Sequence, residues 1–444
     1  MAMKEIPHNA SNLPVTGPGR VRYLLSAVLL ITITIHYLQR VNISILLADP
    51  QFLADLGLTG ETAKQGLLMT FFLLLYALTN FITGPLGDRF GPRRIMALGV
   101  FISGIAMVVA GFASAFGIML FARILLGIGN GIHYPAQGVF VRRWFPPWER
   151  GRANAINSIG SNLGPILAMP LFVFIANNWG WEACFYTVAL LGLLVALPGV
   201  WFLTSDLPEK SPFIGAAEKD YLQKNVGGSL PSGHAARIPF RVRVGKVLEI
   251  PWLGMYIIAY ASFLSIWFGL LTWLPQYFTM ARGISFTTMG FVSSLPYILG
   301  IIGLLFAGVV SDRIGRRAPF AVGALAGSAS LLYWAAVTSQ IYPCIILVSL
   351  ATGVLSLFMG VYWAMVQTLL PINLVGLGVG MISGVGNFIA ALTPLIIGGL
   401  IQLTGSYLAG ILYLVVFGLV GAVCSWVLVR EEKKTFQVKT VALN

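Results

Sequence analysis

Gly84-Pro85-Leu86-Gly87-Asp88-Arg89-Phe90-Gly91-Pro92-Arg93-Arg94 follows one apolar run of this chain, and Gly308-Val309-Val310-Ser311-Asp312-Arg313-Ile314-Gly315-Arg316-Arg317 follows another. Asp88 and Asp312 are 224 residues apart, and so are Gly91 and Gly315. A charged loop recurring at that offset between long apolar segments points to two copies of one multi-helix unit, repeated in parallel. The glycine permits a tight turn. The aspartate suits a helix N-terminus and can pair with basic neighbours when that end of the molecule closes. Asp88, Arg89, Arg93, Asp312, Arg313 and Arg316 are therefore the expected gate residues. The plainer alternative, that these are only loop charges, has to explain two copies at matched positions.

Around these loops the chain is overwhelmingly apolar. Of its 444 residues 57% are hydrophobic and 10% charged, with a mean hydropathy of +0.84. A soluble domain carries roughly 25% charged residues, so the solvent expected for most of this surface is lipid. About 20 apolar residues span a bilayer, and twelve runs qualify, near 22–47, 64–87, 95–114, 116–140, 152–177, 183–204, 251–279, 287–311, 318–338, 342–369, 375–402 and 405–429. The expected class is an all-α membrane protein of two six-helix bundles, 22–204 and 251–429. A polar linker, 205–250, joins them and holds Glu218, Lys219, Asp220, Arg237, Arg241 and Arg243; tails 1–21 and 430–444 flank them. The first run is too long, and followed by too many others, for a cleavable signal.

Charge sets the expected orientation. Of 28 Lys and Arg, all but four fall in the tails, the linker or the loops after the second, fourth, sixth and eighth runs. Lys64 and Arg282 lie in opposite loops, and Arg40 and Arg123 within runs. The positive-inside rule then places both termini in the cytoplasm. The net charge of +13 has the same origin, and no aromatic-basic pattern suggests nucleic acid. Cys184, Cys344 and Cys424 stand alone in apolar segments, which indicates neither disulfides nor a metal site. No nucleophile–base set, metal cluster or phosphate loop argues for an enzyme or a cofactor.

Arg40 is the first candidate for binding. A charge inside a span is costly and usually faces a water-filled cavity with a partner. No acid lies nearby in sequence, so the natural partner is an anionic substrate, held by the planar guanidinium fork. Pairing with backbone carbonyls is the alternative. The role of Arg123 stays open.

The two loops resemble the signature of the major facilitator superfamily, and Arg123-Ile-Leu-Leu-Gly127-Ile-Gly129-Asn130-Gly131 resembles its second signature. His36-Tyr37-Leu38-Gln39-Arg40, Tyr134-Pro135, Trp144-Phe145-Pro146 with Glu149-Arg150, and Gly386-Asn387-Phe388 with Pro394 look like the anion:cation symporter branch. That branch includes bacterial galactonate, glucarate and hexuronate carriers, phthalate-type carriers and sialin-like proteins. The resemblance implies a bacterial inner-membrane carrier working by rocker-switch alternating access. It also implies a small organic anion as substrate, a sugar acid or another carboxylate, protons as the coupling ion and a monomer. It maps Tyr37, Arg40, Tyr76, Ser161, Trp363 and Asn387 to substrate-facing positions.

The pattern breaks at two places. Where galactonate-type carriers have a proton-accepting Asp and Glu, this chain has Gln39 and Asn130, which do not titrate. His36 and His133 lie one helical turn from them, and histidine switches charge near neutral pH. They are candidates to replace the missing acids, with His133 and Asn130 also counted as substrate contacts. The alternatives are that both histidines are neutral packing residues and that transport is uncoupled. An exporter of metabolites or drugs with the same fold is the competing function. A receptor without transport is disfavoured by the paired loops.

Overall fold

The structure, a computed structural model, describes residues 19–83, 86–226, 240–250, 252–314, 318–369 and 375–441; side chains at 155, 157, 158, 240, 241, 243, 308–314, 364, 367–369, 375, 376 and 431–441 are excepted. Twelve helices among the described residues are long and apolar enough to cross a bilayer. They are α1 (Val21–Leu46), α2 (Thr62–Thr83), α3 (Pro92–Gly111), α4 (Phe116–Trp144), α5 (Arg150–Trp179), α6 (Trp181–Leu203), α7 (Leu253–Ala281), α8 (Phe286–Ala307), α9 (Ala318–Val337), α10 (Ile341–Trp363), α11 (Leu377–Thr404) and α12 (Tyr407–Arg430). Each apolar run of the sequence lies on one of them. α4 continues past its expected end near 140, because its last turn carries Arg142 and Arg143 and cations suit a helix C-terminus.

Glycine spacing explains how the N-terminal half, α1–α6, packs. Gly127 and Gly131 are four apart and share one face of α4. A Cβ at either would come within 2.5 Å of Phe72 O or 2.7 Å of Tyr76 O on α2. Gly129 faces the other way, where a Cβ would lie 2.4 Å from Ser103 Oγ on α3. The alternating glycines thus let α4 sit backbone-close between two neighbours. Pro135 inside α4 cannot donate to the Gly131 carbonyl. The Thr83 hydroxyl on α2 lies 3.4 Å from that oxygen. That hydroxyl donates chiefly to Thr79 O at 2.7 Å, so it gives the Gly131 carbonyl at most a shared, long contact.

The C-terminal half, α7–α12, meets the first along α1–α7, α2–α11 and α5–α8. Among the described residues, the hydrogen bonds between the halves cluster toward the end away from the termini. Thr62 Oγ1 donates to Gly398 O at 2.7 Å, Ala63 N to Gln402 Oε1 at 3.0 Å, and Leu395 N to Thr70 Oγ1 at 3.2 Å. Gln276 Nε2 donates to Gln65 Oε1 at 3.0 Å and Asn177 Nδ2 to Thr287 Oγ1 at 3.2 Å. Gly66 and Gly398 make this closure possible: a Cβ there would lie 2.4 Å from Pro394 O and 2.3 Å from Thr62 O.

At the termini end a linker helix, Ala216–Val226, docks on the N-terminal half. Arg22 Nε donates to Glu149 Oε2 and its Nη1 to Glu218 Oε1, both at 2.7 Å, and all three side chains are buried. The Tyr221 hydroxyl adds a bond to Glu149 at 3.2 Å. The sequence suggested a polar linker here, partly an interfacial helix. Three charges from distant segments meet in one buried cluster, and sequence separation hid it.

Candidate functional site

Tyr37 and Arg40 are three apart on α1 and so share a face. Arg40 is 5% exposed. Its guanidinium carbon lies 4.5 Å from the ring centre of Tyr37, 5.1 Å from Phe72 and 4.8 Å from Tyr76. Its side chain hydrogen-bonds the Tyr76 hydroxyl, while its Nε has no hydrogen-bond partner. Aromatic faces attract a cation, but they cannot accept hydrogen bonds along the guanidinium edge as a carboxylate does.

Arg123 contrasts with it. It is fully buried, and its donors reach Leu68 O and Gln39 O at 3.3 Å and Arg40 O at 3.4 Å. The carbonyl pairing weighed for Arg40 therefore belongs to Arg123. That side chain ties α4 to the backbones of α1 and α2, which answers the question its sequence position left open.

Across the cleft the C-terminal half presents Tyr260. Its ring stacks on Tyr362 at 5.5 Å and meets Trp363 edge-on at 4.9 Å. A Cβ on Gly386 would lie 2.6 Å from that ring, so only glycine lets α11 approach. The Tyr260 hydroxyl neighbours Ser383 and Asn387 and lies within electrostatic range of Tyr37 and Tyr76. Tyr134 of α4, 53% exposed, lies within electrostatic range of Tyr37, Tyr76, Tyr260 and Arg40. These contacts link Tyr37, Arg40, Tyr76, Trp363 and Asn387 into one group through Tyr260. The structure adds Tyr134 and Tyr260, which sequence reasoning did not select as binding residues. A hydroxyl-bearing ring deep in an apolar span was the available signal.

The other expected residues lie elsewhere. Gln39 points away from the cleft, donating to Val188 O of α6 at 3.3 Å. Asn130 is 2% exposed and donates to Ser103 Oγ of α3 at 3.0 Å. His36 and His133 meet edge-to-face with ring centres 4.5 Å apart. His133 Nδ1 lies 3.2 Å from Met96 O, and the Nε2 atoms of both histidines lack partners. In this state Asn130 and His133 are packed inside the N-terminal half rather than on the cleft wall. Gly99 explains it: a Cβ there would lie 2.9 Å from that of His133, so α3 makes room for the ring. Ser161 takes a bond from Asn162 Nδ2 at 3.4 Å, and Asn162 lies near Gly300 at the α5–α8 seam.

At the expected gate, Asp88 pairs with Arg142, and its carbonyl accepts from Arg143 Nη2 at 3.0 Å. These are partners within one half, and the pair is formed while the halves are fastened at the opposite end. Arg93 lies over Trp201 at 4.8 Å and Arg89 over Phe90 at 5.2 Å. The Arg93 backbone N–H donates to Asp206 Oδ1 at 2.9 Å, so Asp206 caps the start of α3. Asp312 and Arg313 lie on the helical extension Leu295–Ile314, but their side chains and all of Arg316 fall outside the described residues. Among the described residues no group of three or more His, Cys, Asp or Glu could hold a metal.

A family profile described as Major Facilitator Superfamily matches residues 29–369 and 279–442. The chain is 28% identical over 414 residues to a D-galactonate transporter of Escherichia coli O6:H1, covering 90% of this chain and 92% of that protein. It is 30% identical over 419 residues to a probable sulfoacetate transporter of Cupriavidus necator, covering 91% and 93%. A probable galactarate/D-glucarate transporter of Bacillus subtilis is 29% identical over 416 residues, covering 89% of each. Among solved structures, a bacterial homolog of the human lysosomal transporter Spinster, inward-facing and unoccupied, superposes with a TM-score of 0.73 at 19% identity, covering 94% of this chain and 99% of that one.

Proposed function

Because this chain belongs to the major facilitator superfamily, whose members matched here are transporters and not enzymes, we propose that it takes up a small organic anion through the cleft, with Arg40 holding the anionic head. The observation that carries this reading is Arg40 itself: a buried guanidinium, caged by Tyr37, Phe72 and Tyr76, with its Nε unpaired. A carboxylate or sulfonate supplies the charge and the acceptors it lacks. The relatives named for galactonate, glucarate and sulfoacetate support an acidic substrate.

The site is completed by hydroxyls and an amide. Tyr37, Tyr76 and Tyr134 on one side, and Tyr260, Trp363 and Asn387 on the other, offer the hydrogen-bonding and ring surfaces a hydroxylated carbon chain needs. With basic loops in the cytoplasm of a bacterial inner membrane, the fastened end is periplasmic and the cleft faces inward. Fastening at Gly66 and Gly398 then has to break, and the termini end close, for the outward state. Gln39 and Asn130 carry no proton. His36 and His133 are the groups able to accept one, and without them transport is uncoupled.

The test is a thermal-shift and uptake panel on the purified protein in liposomes, using labelled galactonate, glucarate, sulfoacetate and an aromatic acid. Saturable uptake of at least one of them by wild type, lost in Arg40→Gln, is expected. Arg40→Gln protein that binds and carries the anions as wild type does would overturn the reading.

A further inference from the structure

We propose that this protein holds one anionic phospholipid in a groove between α3 and α6 at the termini end, its phosphate on Arg94 and Arg93 and one acyl chain on the apolar wall. The site is independent of Arg40. The groove measures about 550 Å³. Arg94, Leu98 and Phe101 line it from α3, and steps of four and three residues put them on one face. That face runs about 10 Å along the helix axis from the charge to the last ring. Pro198, Trp201 and Phe202 line it from α6. The groove has a local cause. Nearer the fastened end, glycines bring the two helices together: a Cβ on Gly104 would lie 2.4 Å from Leu193 Cδ2, and one on Gly111 2.4 Å from Tyr186 Cε1. Toward the termini, α6 carries Pro198 between two wide π-type turns, Leu191–Ala196 and Gly199–Leu203. A proline without its N–H and turns of that kind both take a helix off a straight path.

The groove joins two chemistries. Leu98, Phe101, Trp201 and Phe202 are exposed, and so apolar a surface on spanning helices meets lipid chains. Two cations sit at its end. Arg94 is exposed. The Arg93 guanidinium carbon lies 4.8 Å from the Trp201 ring, and its Nε is buried without a partner. Among the described residues neither arginine forms an ion pair. Asp206 caps the Arg93 backbone N–H instead, and Asp88 pairs with Arg142. A guanidinium fork matches phosphate oxygens, and tryptophan favours the level where lipid head meets chain. A phosphodiester on these arginines can lay its acyl chain along Leu98 and Phe101. Two cations favour a head of net negative charge, because a choline head would bring its own ammonium against them. Free phosphate would use the arginines and leave the apolar wall bare. A second copy of this chain would bury both guanidinium groups against spans in which Glu182, at the opposite end, is the one acid.

The test titrates the full-length protein in a neutral detergent with phosphatidylglycerol or with phosphatidylcholine of the same chains, and counts bound lipid by native mass spectrometry. Wild type is expected to retain one phosphatidylglycerol in preference to phosphatidylcholine. Arg94→Gln should weaken phosphatidylglycerol binding about fivefold, the worth of one interfacial cation, and leave phosphatidylcholine binding almost unchanged. Arg152→Gln removes an exposed cation outside the groove and should keep the wild-type affinity. Inorganic phosphate and glycerol 3-phosphate in excess should not displace the lipid. Equal retention of the two lipids, or an equal loss in Arg94→Gln and Arg152→Gln, would overturn the site as general attraction to a basic surface. Displacement by phosphate would make it an anion site without a chain, and a dimer formed in place of bound lipid would make the groove a protein interface; either outcome overturns the proposal.

Discussion

The N-terminal half brings Arg40, Arg123, His36, His133, Gln39 and Asn130 into the middle of its spans, whereas the six spans of the C-terminal half contain no charged residue before Arg430 at the end of α12. In place of charge, the C-terminal half offers a stack of rings: Tyr260 on Tyr362, Phe358 on Tyr362 at 4.7 Å and Phe263 on Phe358 at 5.2 Å. The difference separates two tasks. One half recognises charge, and the other supplies shape and hydrogen bonds from rings and one amide. A carrier that rocks about its middle needs only one of its halves to hold the ion, because a cation on each side would repel whenever the cleft closed.

The sharpest way to break this picture uses the two kinds of buried arginine in the N-terminal half. Arg22→Met should leave Glu149 and Glu218 buried without their cation, lowering stability by about 3–5 kcal/mol. Thermal unfolding in detergent would show it, and adding Glu149→Gln and Glu218→Gln should restore much of the loss. Arg40→Gln should act with the opposite sign on stability. Its charge has no acidic partner among the described residues, so the melting temperature should hold or rise, while galactonate binding weakens by roughly 100-fold, about 3 kcal/mol. A fall in melting temperature like that of Arg22→Met would mean Arg40 is structural.

On the other side, Trp363→Ala should weaken binding by roughly tenfold, about 1.5 kcal/mol, through lost ring contact. Preference among anions by charge should not move, as competition assays with mono- and dicarboxylates would show; a changed charge preference would place charge recognition in both halves. The smallest effect is expected at the loop. The side chains of Asp88 and Arg142 are 50% and 45% exposed, so Asp88→Asn should cost no more than about 1 kcal/mol in stability. A larger drop in the same melt would give the loop a structural weight its exposure does not suggest.

Much of the fold was legible because lipid demands it. Twelve apolar runs, the Asp88 and Asp312 loops and the spacing Gly127-x-Gly129-x-Gly131 follow from span length, charge placement and helix contact. Arg40 was legible for the same reason, since an unpartnered cation in a span is conspicuous. Gln39 and Asn130 could be recognised as neutral, but not as facing α6 and α3 instead of the cleft. That depends on which side of α1 and α4 meets a neighbour, and small rotations of a helix decide it. The proximity of His36 to His133 was equally out of reach, because they sit on different helices and the close approach of α3 to His133 at Gly99 appears only in the packed structure.

The sequence by itself determined that this chain is a two-bundle membrane transporter with two conspicuous cations, Arg40 and Arg123, within its apolar runs, because the cost of charge and open backbone in lipid is paid residue by residue and shows in composition and periodicity. Only the tertiary structure decided which arginine is free, since Arg40 and Arg123 look alike in sequence and differ solely in whether neighbouring backbones offer carbonyls. It also decided that Tyr134 and Tyr260, from opposite halves, lie within electrostatic range of each other and that Arg22, Glu149 and Glu218 meet. Those contacts join residues far apart in the chain, and distance in sequence carries no energy until packing brings the groups together.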